Sequence, residues 1–234
     1  MRNKVILFAI PYAGGSMYSF NILKKYCPDF IDFCPIELPG HGARINDSLR
    51  SDIHEIVEDL YSQIERRITV PYAFFGHSMG SIIIYLLAKK ITSFKKPLPS
   101  QLFVSGKAGP STKSLTKRHL FSDEELKEEI KKLGGTAKEV IENEDLINYF
   151  IPIIRADFQA LETYKHSNSL RLNVPITVLV GEDDNLNMKD VLSWQEESIY
   201  PIKLIKLTGG HFFINDHPKR IMDLLKDTLS PLAS

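Results

Sequence analysis

The sequence predicts an α/β protein with a mainly parallel central sheet, helices on both faces and a helical insertion. Three observations predict it. Short apolar runs bounded by turn residues alternate with longer stretches of helical periodicity. One strand-to-helix junction, Gly76-His77-Ser78-Met79-Gly80, places small residues two positions either side of a serine, the spacing of a sharp turn that exposes its central side chain. From about residue 109 to 170 the rhythm breaks, and charged helical patterns replace strands.

Val5–Ile10 is apolar throughout and stops at Pro11, as a buried first strand would. With Met1-Arg2-Asn3-Lys4 before it the run imitates a secretory leader, but it is too short and no small-residue cleavage site follows. Asp32–Ile36 is the second strand. Asp52–Ile68 carries Ile53, Ile56, Val57, Leu60 and Ile64 at helical spacing. Tyr72–Phe75 leads as a strand into the Ser78 turn, and Ser81–Ala88 leaves it as a packed helix. Gln101–Ser105, Ile176–Val180 and Lys203–Lys206 complete the strands. Pro218–Leu229 opens with a proline suited to a first helical turn and keeps Ile221, Leu224, Leu225 and Leu229 on one face.

Within the insertion, Ser122 and Glu125 have the spacing of a capping box ahead of the charged stretch Asp123–Lys132, and Gly134-Gly135 ends that helix. Asp145–Tyr164 is amphipathic, with Leu146, Tyr149, Phe150, Ile153, Ile154 and Leu161 on its apolar side. Pro152 is expected to kink or divide it. Residues 1–234 therefore read as one domain, with the insertion at about 109–170 placed over the site as a lid.

Composition narrows the function. Lysine plus arginine equals aspartate plus glutamate, 29 each in 234 residues, which argues against a nucleic-acid binder held by a broad basic field. No run approaches the ~18 apolar residues that cross a bilayer, so no membrane association is expected. Cys27 and Cys34 have no second cysteine pair or histidine cluster nearby, so no metal site is expected and a reduced, cytoplasmic protein is preferred to a disulfide.

The chemistry follows from three positions in chain order. A serine hydroxyl needs a base, and the base needs orienting. Ser78 is the candidate nucleophile. Acids follow a strand in Val178-Leu-Val-Gly181-Glu-Asp-Asp184. Asp184 clears the strand end before turning back and is the first choice, Asp183 the next and Glu182 the last. His211, in Thr208-Gly-Gly-His-Phe-Phe213 after the last strand, is the candidate base. His41 reads as a turn residue near the site, His77 as directed away from the Ser78 hydroxyl, and His54 and His217 as helix-surface residues. Two backbone donors are needed for an oxyanion. Met79 N–H, directly after the nucleophile, is one. Ala13 N–H, in the loop Pro11-Tyr-Ala-Gly-Gly-Ser16, is the other. That loop lacks the Lys-Ser/Thr of a P-loop, and Gly-x-Gly-x-x-Gly is absent, so nucleotide binding is not expected.

Pro11-Tyr12-Ala13-Gly14-Gly15-Ser16, Leu38-Pro39-Gly40, Phe75–Gly80, Phe103-Val-Ser-Gly106, Leu133-Gly-Gly-Thr136, Arg155-Ala-Asp-Phe158 with Glu162-Thr-Tyr164, and Gly209–Phe213 together resemble the type II thioesterases of nonribosomal peptide and polyketide synthases. The resemblance spans nearly the whole chain. It departs at Tyr12, where that family has histidine, and at His41-Gly42, where it has Arg-Glu. It implies an α/β-hydrolase fold, a Ser78–Asp184–His211 triad and an Ala13/Met79 oxyanion hole. It also implies substrate or lid roles for Tyr12, Arg155, Phe158 and Phe212. The implied activity is hydrolysis of acyl groups from the phosphopantetheine arm of acyl or peptidyl carrier proteins, by a cytoplasmic monomer without cofactor or metal. Phosphopantetheine enters as part of the substrate. A docking face for an acidic carrier is expected to include Lys113, Lys117 and Arg118. The competing readings are a free-standing serine esterase, acyl-CoA thioesterase or acyltransferase, and a non-catalytic hydrolase-fold binding module.

Overall fold

Six strands form a single parallel sheet in the computed structural model: β1 (Val5–Ile10), β2 (Ile31–Pro35), β3 (Tyr72–His77), β4 (Leu102–Ser105), β5 (Ile176–Gly181) and β6 (Lys203–Leu207), in the order β2-β1-β3-β4-β5-β6. The structure describes residues 4–68, 71–113, 115–136, 138–167 and 170–233; Met1–Asn3, read above with Lys4 as a charged flank, lie outside them. The helices are α1 (Asn21–Lys24), α2 (Ile53–Ile64), α3 (Met79–Ser93), α4 (Asp123–Leu133), α5 (Lys138–Glu142), α6 (Glu144–Thr163), α7 (Met188–Leu192), α8 (Phe213–Asp216) and α9 (Pro218–Leu229).

β1, β3, β4 and β5 are buried along their whole length, as a parallel sheet covered on both faces requires. Alternation along each strand divides the core. Phe8, Ile10, Phe74, Val104 and Val178 face α2 and α3, whereas Leu7, Ala9, Phe75, Phe103 and Leu179 face α9. β2 and β6 lie at the edges, and both have residues open to solvent.

Strand order reverses between β1 and β3, so the chain leaves those two strands in opposite lateral directions and opens a crevice at their carboxyl ends. Register brings the ends level: Ile10 pairs with Gly76, His77 with Ser105, and Gly181 with Leu207. The loops after β1, β3, β5 and β6 therefore converge on one edge.

Between β4 and β5 lies the helical segment. Ser122 and Glu125 form the expected capping box on α4, and Gly134 ends it at φ +73°. α4 and α6 bury their own small core of Leu126, Ile130, Ile147, Ile151, Ile154 and Phe158. Pro152 does not divide α6, which runs on through it with the proline on the exposed side and Ile151, Ile153 and Ile154 around it buried. The buried stripe differs from the expected one, since Leu146 and Tyr149 are exposed and Ile147 and Ile151 take their place against α4. Among the described residues no helix is long and apolar enough to cross a membrane. Cys27 and Cys34 are both unbridged thiols.

Candidate active site

β3 passes into α3 through Ser78, whose backbone sits at φ 54°, ψ −115°. A side-chain-bearing residue at positive φ is strained, and here the strain is imposed by close packing on both sides. A Cβ on Gly76 would lie 2.3 Å from the Gly80 carbonyl oxygen, and one on Gly80 would lie 2.1 Å from that of Ile10. Only glycine at both positions lets β3, β1 and the first turn of α3 meet. Ser78 N–H donates to Ser105 O at 2.7 Å, tying the turn to β4.

The expected partners converge on Ser78. His211 Nε2 lies 3.0 Å from Ser78 Oγ, and His211 Nδ1 lies 2.9 Å from Asp184 Oδ2. Asp183 and Glu182 are exposed and make no such contact, so of the three acids Asp184 is the one that reaches His211. The β5 and β6 loops are locked together as well: Glu182 N–H donates to Leu207 O and Asp183 N–H to Gly209 O. A Cβ on Gly181 would lie 2.4 Å from Gly210 O, so the acid loop and the histidine loop are in backbone contact.

Met79 is the first residue of α3, where an N–H has no intrahelical acceptor and faces the positive end of the helix dipole. The loop after β1 folds into a tight turn closed by Gly15 N–H to Tyr12 O at 2.8 Å, with Gly14 at φ +75° in a position that only glycine adopts freely. Ala13 lies between them.

His77 is fully buried under this arrangement, with Nδ1 2.9 Å from Ser105 Oγ and its ring centroid 5.3 Å from that of His211. Burial, and then the neighbouring His211, hold His77 well below the ordinary histidine range, so it is neutral. Phe212 stands edge-on to Tyr12 at 4.8 Å and to His211 at 5.2 Å, forming an aromatic wall beside the catalytic loop. Tyr12 also lines a cavity of about 400 Å³ between the β1 loop and α6. Ile153, Ile154, Tyr149, Phe150 and Val140 supply its apolar side, and Ser16 and His41 its polar side.

Arg155 and Phe158 are placed elsewhere. Arg155 donates to the carbonyls of His119 and Phe121 and to Asp123, pinning the approach to α4. Phe158 is buried in the α4–α6 core with the Arg118 guanidinium 5.5 Å from its ring centre. Both therefore hold the helical segment together rather than line the cavity. Arg118 is engaged by Glu129 and Glu162, whereas Lys113 and Lys117 are exposed.

Two features escaped sequence reasoning. His41, a turn residue near the site as expected, is buried and meets the buried Asp157 of α6 at 2.9 Å. Lys107, half-buried after β4, is drawn down to about 8 by burial and by Arg118, against the pull of Glu162 and Asp184. Neither contact has a local sequence signal, because the partners lie far apart in the chain. No group of three or more metal-ligating side chains occurs among the described residues.

A strained serine at the switch point of a parallel sheet, with an acid and a histidine delivered from the next strand ends, defines a serine hydrolase of the α/β-hydrolase fold. The chain belongs to the thioesterase domain family, whose model matches residues 5–229. It is 31% identical to the gramicidin S biosynthesis protein GrsT of Aneurinibacillus migulanus, over 95% of this chain and 88% of that one. It is 29% identical to the human medium-chain S-acyl fatty acid synthase thioesterase, over 90% of this chain and 81% of that one. Among solved structures, ClbQ from the colibactin NRPS/PKS pathway superposes with a TM-score of 0.92 at 31% identity, covering 98% of both chains. BorB, the type II thioesterase of the borrelidin biosynthetic cluster, superposes at 0.88 and 31% identity, covering 97% of this chain and 93% of that one.

Proposed function

We propose that this protein is an editing thioesterase that hydrolyses acyl groups from the phosphopantetheine thiol of carrier proteins in nonribosomal peptide or polyketide biosynthesis. The observation that carries the reading is the Ser78–His211 contact together with an apolar cavity that Tyr12 and Ala13 of the β1 loop line and α6 roofs, a shape suited to an acyl chain joined to a thioester. Its likeness over nearly full length to pathway-associated thioesterases such as ClbQ and BorB supports the carrier-bound substrate.

Ser78 Oγ attacks the thioester carbonyl while His211 Nε2 takes its proton, and Asp184 accepts Nδ1–H and stabilises the imidazolium. The N–H groups of Met79 and Ala13 receive the oxyanion. Collapse breaks the C–S bond, and the thiolate leaves with the proton from His211. Water, deprotonated by His211, then attacks the acyl-Ser78 ester, and the same donors hold the second oxyanion. Serine is regenerated when the proton returns to Oγ. No step calls for a cofactor or metal. The segment from about 109 to 170 acts as the lid, and the protein works as a cytoplasmic monomer.

The carrier docks where the chain enters the lid. Leu115 is 98% exposed and Leu120 69%, with Lys113 and Lys117 exposed alongside, a surface matched to an acidic helix with an apolar contact.

The relation to the human fatty acid synthase thioesterase supports a second reading, action on simple acyl thioesters. Parallel kinetics with acyl-carrier protein, acyl-CoA and a simple ester separate the two. A kcat/KM at least tenfold higher on acyl-carrier protein is expected, and Lys113→Glu with Lys117→Glu should raise KM for that substrate alone. Equal kcat/KM on all three substrates would sink the carrier assignment.

A further inference from the structure

Asp157 of α6 is 1% exposed and His41, in the loop after β2, is 4% exposed. One carboxylate oxygen, Asp157 Oδ2, accepts from Gly14 N–H at 2.7 Å and from His41 Nε2 at 2.9 Å. The other ring nitrogen, Nδ1, lies 2.9 Å from Pro39 O, which can only accept. Both nitrogens therefore donate, and the ring is an imidazolium paired with a buried carboxylate. Gly14 is the residue after Ala13 in the tight turn of the β1 loop. A Cβ on Gly14 would meet Ile154 of α6 at 2.5 Å, so the same helix touches this turn by packing and by hydrogen bond.

We propose that His41 and Asp157 are positioning residues that couple the seating of α6 to the oxyanion hole. The Ala13–Gly14 peptide is held by a carboxylate carried on the lid helix, and that carboxylate is aimed by its contact with His41. When α6 is seated, Gly14 N–H is anchored and the Ala13 N–H one peptide earlier is fixed for catalysis. When α6 lifts, Gly14 loses its acceptor, His41 loses its counter-charge, and the β1 turn is released. The hydrolytic machinery is thus complete only under a closed lid. Confining turnover to closed-lid complexes would protect acyl groups that do not let α6 seat.

The inference rests on the Ser78–Ala13 reading above, which has its own control. Hydrolysis that survives Ser78→Ala sinks that reading, whereas the variants below sink only the coupling. The test uses a small acyl thioester, so that carrier docking plays no part. Asp157→Asn keeps the size of the side chain but has only one acceptor oxygen and no charge. It is expected to lower kcat at least about tenfold, less than the roughly 10²–10³ lost when an oxyanion donor is removed outright, with KM within about twofold of the parent. His41→Leu combined with Asp157→Leu removes both charges together, an exchange that buried pairs often tolerate in stability. It is expected to keep the thermal midpoint near the parent's and still lose kcat, because Gly14 N–H has no acceptor. A purely structural pair would behave the other way, with kcat retained in any variant that keeps its fold. Parent-like kcat in Asp157→Asn, or a loss confined to KM, overturns the proposal. Near-UV circular dichroism confirms that the Asn variant is folded, and that variant decides alone should the double variant not fold.

Discussion

Gly135, just beyond α4, lies against the ring of Phe212, close enough that a Cβ there would fall 2.2 Å from the ring's Cζ. Phe212 follows His211, so the helical segment touches the catalytic loop directly at this point. Gly135 also sits at φ +82°, where a side chain is strained whatever the space. Gly135→Ala should therefore unseat this contact. Hydrogen exchange across α4 and α5 is expected to rise and kcat/KM to fall, while exchange in β1, β3 and β4 stays as in the parent. Unchanged exchange in α4 would show that the contact is unimportant for seating.

The strain at Ser78 makes a stability prediction separable from catalysis. Ser78→Ala and Ser78→Gly both remove the nucleophile and should both lower kcat by at least about a thousandfold. Only glycine relieves the positive φ, so Ser78→Gly should be more stable than Ser78→Ala by about 1–3 kcal/mol. Urea denaturation of the two variants measures the difference.

The acid is tested by a neighbouring pair. Asp184→Asn leaves the shape but presents the wrong hydrogen-bonding group to His211 Nδ1, and a loss of kcat of about 10⁴-fold is expected. Asp183→Asn, at an exposed carboxylate that makes no contact with His211, should stay within about twofold of the parent. Comparable losses in both would reassign the acid.

Stability should depend on pH through His41. Burial works against its charged form, but the Asp157 hydrogen bond and charge, with help from Pro39 O and Glu37, outweigh it and raise His41 above the ordinary histidine range. A raised folded value means the contribution is fully present below the unfolded value, about 6.5, and is lost as pH rises through the folded value. The gap in unfolding free energy between the parent and His41→Leu should therefore be widest near pH 6 and narrow towards pH 9. His77 acts oppositely: its folded value is depressed, so the parent loses stability as pH falls below about 6.5. Comparing the parent with His41→Leu at each pH cancels that common part. A gap that widens with rising pH would contradict the assigned charge state of the His41–Asp157 pair.

Most of the architecture was legible because its signals are local. The apolar run of Val5–Ile10, the glycines around Ser78 and the cap at Ser122 each act within a few residues, and each forms as expected. Strand ends were misjudged by a residue or two, since the last pairing residue depends on the neighbouring strand: Gly181 is in β5 because Leu207 is opposite it. The buried face of α6 was misread because its partner is α4, and helical periodicity alone does not say which side meets a neighbour.

The sequence by itself placed Ser78 in a glycine-bounded elbow and His211 in a glycine-flanked loop, in that chain order, because both features are local. Tertiary structure decided the rest. Asp184 was selected over Asp183 by the reach of His211 across the β5–β6 loops. Arg155 and Arg118 bond to the carbonyls and carboxylates of the helical segment because the fold brings those groups to them. His41 became a buried cation because folding brings Asp157, 116 positions along the chain, to within 2.9 Å. Charge, burial and hydrogen-bond geometry at such a contact arise only when distant segments meet, so neither periodicity nor the Arg155–Phe158 motif says which residue Asp157 will pair with.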